Sequence, residues 1–186
     1  MSAQPAPQQI FTIEEYLERE EKAEYKSEYY KGEIFAMAGG TPPHSAISAN
    51  VLYALMERLR KKCRVFNNDM RIHIPVPEYF TYPDISVVCG KREYFDDKAL
   101  MNPILIVEVL SDSTEGYDRG TKFRFYDRIS SLQEYVLVSQ KERVVEVFRR
   151  NEQQRWELFM FTDNDDVELA SVGCTLTMDE IYEDAE

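Results

Sequence analysis

The chain has 186 residues, 44% of them hydrophobic and 30% charged, which are the proportions of one soluble globular domain and exclude a disordered chain. No apolar run approaches the roughly 20 residues of a membrane helix, and the N-terminus lacks the features of a signal peptide, so we expect a cytoplasmic protein with no membrane partner. With 34 acidic against 22 basic side chains the net charge is −12, which argues against strong non-specific nucleic-acid binding.

The N-terminal part of the chain predicts a lead-in and a first helix. Residues 1–9 are rich in Pro, Gln and Ala and predict a disordered segment, so a single domain is expected over residues 10–186. Thr12 precedes an acidic first turn, which is typical of a capping box. This helix is expected to run to about Glu24.

A hairpin and a longer helix are predicted next. Two short apolar segments flank Lys31-Gly32, as in a tight turn between strands. Thr41 is expected to cap a second helix with a proline in its first position. That helix is predicted to reach about Lys62, where the basic cluster from Arg58 to Arg64 suits the negative end of the helix dipole.

The rest of the chain alternates strands with one helix. Strands are predicted at 65–66, 70–76, 82–89, 104–110, 132–139, 143–150 and 156–161, a polar connection at 90–102, a helix at 117–129, and a short acidic helix from 177. This order favours an α/β protein, a mixed α+β sheet with flanking helices and an additional antiparallel ribbon.

The cysteines and histidines do not predict a zinc site. Cys63, Cys89 and Cys174 lack metal-ligand spacing and are expected to be reduced, mostly buried thiols. His44 and His73 are too few and too far apart in the sequence for a zinc motif.

Two carboxylates interrupt apolar strands. Asp84 opens one strand, and Glu108 is the only charged residue of the 104–110 strand. An ionised glutamate in a buried strand is costly unless it is paired, protonated or bound to a cation. Two interpretations are open: a structural ion pair, or a site for a hard cation such as Mg²⁺. If the strands are neighbours, alternation lets Asp84 and Glu108 converge.

The following helix offers polar groups that face these carboxylates. Asp118, Lys122 and Tyr126 are spaced at i, i+4 and i+8 and share one helix face. A helix that folds back over the strand would place the Lys122 ammonium where it orients a metal-bound water or stabilises charge on a phosphate. His44, near a helix N-terminus, is a candidate phosphate contact; a capping or exposed role is its alternative.

These residues resemble a known signature. Pro83-Asp84 with Glu108-Val109-Leu110 resembles the PD-(D/E)XK nuclease motif, with Leu110 in place of the usual lysine. The run from Pro103 to Thr114, followed by Tyr117 to Lys122, is similar to the Uma2 family, whose members are described as restriction-endonuclease-like. The similarity extends over nearly the whole chain.

The resemblance implies a restriction-endonuclease-like core. It implies that Asp84 and Glu108 are ligands of Mg²⁺ or Mn²⁺, and that Lys122 is the catalytic lysine moved onto the next helix. Glu28 would match the acidic residue that many members carry on the N-terminal element.

The expected function is therefore a metal-dependent DNA endonuclease that hydrolyses phosphodiester bonds, and a homodimer would suit the cutting of both strands. A catalytically silent nuclease-fold protein that acts as a binding or assembly module is the main alternative, favoured by the charge of −12 and by Leu110. A glycosidase with a carboxylate pair would also need a proton-donating acid and a sugar cleft.

Overall fold

The computed structural model describes residues 9–37 and 39–185, so the predicted disordered segment lies almost wholly outside the described residues. The helices are α1 (Ile13–Glu20), α2 (Pro42–Arg58), α3 (Glu115–Tyr117), α4 (Phe123–Tyr126) and α5 (Met178–Tyr182), and a π-helical turn at Asp118–Lys122 joins α3 to α4. The strands are β1 (Ser27–Tyr30), β2 (Glu33–Ala36), β3 (Cys63–Asn67), β4 (Ile72–Ile74), β5 (Tyr79–Thr81), β6 (Ile85–Cys89), β7 (Tyr94–Phe95), β8 (Ala99–Leu100), β9 (Leu105–Leu110), β10 (Glu134–Ser139), β11 (Val145–Arg150), β12 (Trp156–Phe161), β13 (Asp166–Leu169) and β14 (Cys174–Thr177).

The main sheet is mixed, with the strand order β12-β11-β10-β9-β6-β3. Only β9 and β10 are parallel among its neighbouring pairs. A parallel pair needs a crossover connection, and the helix at 115–126 supplies it. This mixed sheet with flanking helices and the antiparallel β11–β12 ribbon confirms the predicted fold class.

A second six-stranded sheet has the order β2-β1-β5-β4-β8-β7, and the sequence revealed only part of it. The β1–β2 hairpin is confirmed, with positive φ at Lys31 and Gly32 in its turn. The strand predicted over 70–76 is present as β4 but is shorter, Ile72–Ile74, and β5, in which the chain turns back against it, was not predicted. The polar connection over 90–102 contains the short strands β7 and β8, which are too short to show an alternating pattern.

The first two helices begin where predicted but end earlier, whereas the helix predicted over 117–129 lies at 115–126. The capping box at Thr12 and the N-cap at Thr41 are both present. However, α1 ends at Glu20 and α2 at Arg58, each four residues before the predicted end. No helix within residues 9–37 and 39–185 is long and apolar enough to cross a membrane.

The two faces of the main sheet are covered differently. One face packs against α2 and α5 through aliphatic side chains such as Leu55, Val107 and Ile181. The other face packs against the 115–126 helix through a cluster that includes Ile106, Tyr126 and Tyr135. Strand β9 is buried along its whole length, so any polar group on it must find its partners inside the protein.

The cysteines require a correction. Cys63 and Cys89 lie directly opposite each other in the antiparallel β3–β6 pair and form a disulfide. The expectation of reduced thiols was therefore wrong for this pair, because the strand register, and not a spacing in the sequence, brings the two residues together. Among the described residues Cys174 is the free cysteine, and it is half-buried.

Candidate active site

Asp84, which directly precedes β6, lies across from Glu108 of β9. The antiparallel register pairs Ile85 with Val107 and Ser86 with Ile106, and its continuation by one step places Asp84 across from Glu108. Asp84 Oδ2 accepts a hydrogen bond of 2.7 Å from the backbone N–H of Val109. The structure thus brings the two carboxylates together at one end of β6.

Glu108 receives two donors from the helix that follows its strand. Lys122 Nζ lies 2.8 Å from Glu108 Oε1, and the Tyr126 hydroxyl donates to the same oxygen at 2.7 Å. The side chains of Glu108 and Lys122 are 5% and 7% exposed. The ammonium and the phenol therefore reach a carboxylate that almost no water contacts.

Lys122 also lies close to the two acidic residues proposed as supporting groups. Its Nζ is 3.5 Å from Asp118 Oδ1 and 3.7 Å from Glu28 Oε1. Glu28 comes from β1 in the second sheet, where the Thr81 hydroxyl donates to it at 2.5 Å. The ammonium thus joins three carboxylates that come from separate elements.

His44 approaches the site from the first turn of α2. Its Nε2 lies 3.2 Å from Asp84 Oδ2, and both side chains are mostly buried. The Thr41 hydroxyl caps the helix by accepting from the His44 backbone N–H. His44 is therefore part of the cluster and contacts a carboxylate in it.

All seven predicted site residues except Tyr126 line one cleft of about 970 Å³. This volume is large enough for a ligand of drug size or for part of a polymer. The described lining includes five acidic side chains and two lysines: Glu28, Asp84, Glu108, Asp112 and Asp118 against Lys122 and Lys141. The wall of the cleft is therefore predominantly acidic.

Burial and neighbouring charges change the protonation of this cluster. Burial raises the pKa of Glu108 to about 8, a shift that Lys122 opposes and that Asp84 and Asp118 reinforce. Burial also raises the pKa of Asp118. Burial disfavours the ammonium form of Lys122, but the Glu108 carboxylate raises its pKa well above the ordinary value. Because one ammonium faces several carboxylates, Lys122 stays charged, whereas burial disfavours the ionised form of Glu108.

The contact with Asp84 has a similar effect on the histidine. The hydrogen bond between His44 and Asp84 raises the pKa of the imidazole, although burial opposes this shift. The acidic groups of the site thus favour the protonated, positively charged forms of His44 and Lys122.

The donor set fits a hard divalent cation. The contacts to the two carboxylates fall on Asp84 Oδ2 and Glu108 Oε1, and the second oxygen of each accepts no hydrogen bond from the described residues. In the described part of the chain, no group of three or more His, Cys, Asp or Glu side chains is arranged to enclose a metal. Such a site suits Mg²⁺ or Mn²⁺, which keep water or substrate ligands, better than structural zinc.

Sequence reasoning missed several groups that support the cluster. Gln140 joins the Thr41 side chain to the Leu110 carbonyl, and the hydroxyls of Tyr79 and Tyr117 are 3.1 Å apart beside the cleft. These contacts link residues that are 30 to 99 positions apart.

Comparisons with known proteins agree with this architecture. The profile of the Uma2 family, described as "Putative restriction endonuclease", matches residues 13–179. Two uncharacterized proteins of Synechocystis sp., slr1290 and sll1609, are each 38% identical to this chain, over 95% and 82% of its length and 94% and 88% of theirs. A crystal structure of a "putative nuclease belonging to DUF820" from Anabaena variabilis superimposes with a TM-score of 0.73 at 21% identity, covering 95% of this chain and 99% of that one.

Proposed function

The chain belongs to the Uma2 family, and from this premise we propose that it is a Mg²⁺- or Mn²⁺-dependent endonuclease that hydrolyses phosphodiester bonds in DNA. The observation that carries the proposal is the position of Lys122 Nζ, 2.8 Å from Glu108 and in the same cleft as Asp84. Paired carboxylates can hold a divalent cation, and a buried ammonium can stabilise charge on a phosphate, so this set of groups suits phosphodiester hydrolysis.

Each residue has a distinct part in the proposed reaction. Asp84 and Glu108 would hold the metal ion, which would supply activation of water and neutralisation of charge on the scissile phosphate. The Tyr126 hydroxyl fixes Glu108 from the protein side. Lys122 keeps its proton and stabilises the negative charge that develops on the phosphate, while Asp118 and Glu28 hold its ammonium in place.

The charge of the cleft explains why a cation would be needed. Five acidic groups and two lysines line it. When no metal ion is bound, the acidic groups would repel the negatively charged phosphodiester. Away from the cleft, the exposed side chains of Arg60, Lys61, Lys62 and Arg64 form no ion pair with any residue that the structure describes. They are the proposed contacts to the DNA backbone.

Leu110 stands in place of the usual lysine, but the site still contains an ammonium group. Leu110 is 4% exposed and packs with Val88 and Ile106 in the core. Lys122 supplies the charge from the next helix instead. The alternative function, a catalytically silent binding or assembly module, gains support from Leu110 only if this ammonium does not serve in its place.

The test is plasmid nicking combined with Mn²⁺ calorimetry. We expect the wild-type protein to bind Mn²⁺ and to nick supercoiled plasmid. EDTA should stop the nicking. Asp84→Ala and Glu108→Ala should lose both properties. Asp166→Ala, which removes an exposed carboxylate from β13, is the matched control and should keep both.

The other outcomes separate the alternatives. Wild-type protein that binds Mn²⁺ but leaves DNA intact would favour the silent module. Protein that binds no Mn²⁺ or Mg²⁺ would rule out the metal site. Linear product that appears together with nicked circles would indicate paired sites and hence a dimer.

A further inference from the structure

The carboxylate of Asp84 is oriented by two donors on the same oxygen. Oδ2 accepts from the backbone N–H of Val109 at 2.7 Å and lies 3.2 Å from His44 Nε2. One donor belongs to the strand of Glu108 and the other to the first turn of α2. Both contacts fall on Oδ2, so Oδ1 keeps its capacity to bind another ligand.

The backbone of Gly40 lies against the imidazole ring of His44. A Cβ atom on Gly40 would lie 2.8 Å from His44 Nδ1 and 3.3 Å from its Cγ. Such an approach is too close for carbon and nitrogen atoms that are not bonded, so any side chain at position 40 would push the ring. The ring is thus confined between Gly40 on one side and Asp84 on the other.

The start of α2 is tied to the strand that carries Glu108. The Thr41 hydroxyl donates to Gln140 Oε1 at 2.6 Å, and Gln140 Nε2 donates to the Leu110 carbonyl at 2.8 Å. This connection fixes the first turn of α2, and with it His44, relative to the end of β9. The position of the imidazole is therefore set by the fold.

We propose that His44 is a positioning residue, which holds Asp84 in the orientation that binds the catalytic cation, and that position 40 is glycine because the imidazole needs that space. This inference rests on the proposed metal site. Carboxylate ligands of metal ions depend on such hydrogen-bonding partners, and the loss of one costs between about ten- and a hundredfold in affinity.

The experiment measures Mn²⁺ affinity by calorimetry on the full chain. We expect His44→Ala to weaken binding by about ten- to a hundredfold. In His44→Gln the side-chain amide still donates a hydrogen bond, so this variant should recover most of the affinity. Gly40→Ala should weaken binding in the same direction by displacing the ring. Gly39→Ala is the matched control and should bind as wild type, because a Cβ at Gly39 meets nothing within 4 Å.

The double variant Gly40→Ala/His44→Ala gives the sharpest result. If Gly40 acts through the imidazole, the double variant binds Mn²⁺ no more weakly than His44→Ala alone. Additive losses, or wild-type affinity in His44→Ala, would overturn the positioning role while leaving the nuclease proposal intact. Wild-type protein that binds no Mn²⁺ would overturn the metal site and the role of His44 together. Urea unfolding of each variant separates a loss of affinity from a loss of folding.

Discussion

Lys122 and Glu108 form an ion pair in which Nζ and Oε1 are 2.8 Å apart and both side chains are more than nine-tenths buried. The pair is unequal, because Lys122 has further acidic neighbours in Asp118 and Glu28. Glu108 has Lys122 and the neutral hydroxyl of Tyr126 as its donors. The two partners should therefore contribute differently to stability.

Lys122→Met is expected to destabilise the protein more than Glu108→Gln. The first change leaves several carboxylates together without a cation, a situation that costs about 3–5 kcal/mol in buried ion pairs. The second leaves the ammonium facing Asp118 and Glu28, so its charge stays compensated. Urea unfolding at about pH 8 without metal compares the two. Equal costs, or a larger cost for Glu108→Gln, would contradict this account of the cluster.

His73 should make the protein less stable in acid. It is buried in β4 against Phe80, with ring centroids 4.2 Å apart, and neither ring nitrogen has a hydrogen-bond partner among the described residues. Burial lowers the pKa of His73 below 6.5. Around and below that pH the unfolded chain binds a proton that the folded protein does not. The stability associated with neutral His73 is full above pH 6.5 and is lost as the pH falls towards the lowered pKa.

The variant His73→Phe isolates this effect. It replaces two unpartnered nitrogen atoms by carbon and should stabilise the protein by about 1–3 kcal/mol at neutral pH. The difference in the free energy of unfolding between His73→Phe and wild type should increase as the pH falls from about 8 to about 5. Free energies of unfolding measured across that range test the sign, and a difference that stays constant with pH would show that His73 does not titrate as described.

The disulfide predicts a defined thiol count. Denatured protein should titrate one thiol without reductant, from Cys174, and three after reduction. The bridge joins residues 26 positions apart, and closing a loop of that size stabilises a protein by about 3 kcal/mol. Reduction should therefore lower the urea midpoint, whereas a Cys63→Ser/Cys89→Ser variant should not respond. Three thiols in unreduced protein would refute the bridge.

The exposed basic cluster should contribute to DNA affinity by neutralising phosphates. Replacing Lys61, Lys62 and Arg64 by glutamine is expected to weaken binding, and to reduce the slope of log K against log salt by about 0.9 for each phosphate that is no longer neutralised. The matched control removes the same charge from cations that already have acidic partners: Lys22, Lys98 and Arg143. Equal effects of both sets would mean that only net charge matters.

The sequence predicted those parts of the site that follow from local rules. Strand alternation brings Asp84 and Glu108 to one face once β6 and β9 are neighbours. Helical spacing aligned Lys122 with Asp118 and Tyr126. The caps at Thr12 and Thr41 depend on residues three positions away, and both are present.

The features that escaped prediction depend on long-range register. The Cys63–Cys89 bridge exists because β3 pairs with β6, and neither residue lies in a recognisable motif. The β13–β14 hairpin, Asp166–Leu169 paired with Cys174–Thr177, was also missed. It is fixed to the main sheet by the buried Glu134, which accepts from the backbone N–H groups of Ala170 and Ser171. No short-range pattern reveals such contacts.

The π-helical turn at Asp118–Lys122 accommodates one residue more than a regular α-helical turn. Deleting one residue between Asp118 and Lys122 would leave the two at i and i+3, which are still neighbours on one face of a regular helix. A homologue that is one residue shorter here would therefore keep the carboxylate beside the ammonium. Length can vary in this turn without loss of the ion pair, whereas no neighbouring position in the turn replaces the Lys122 side chain.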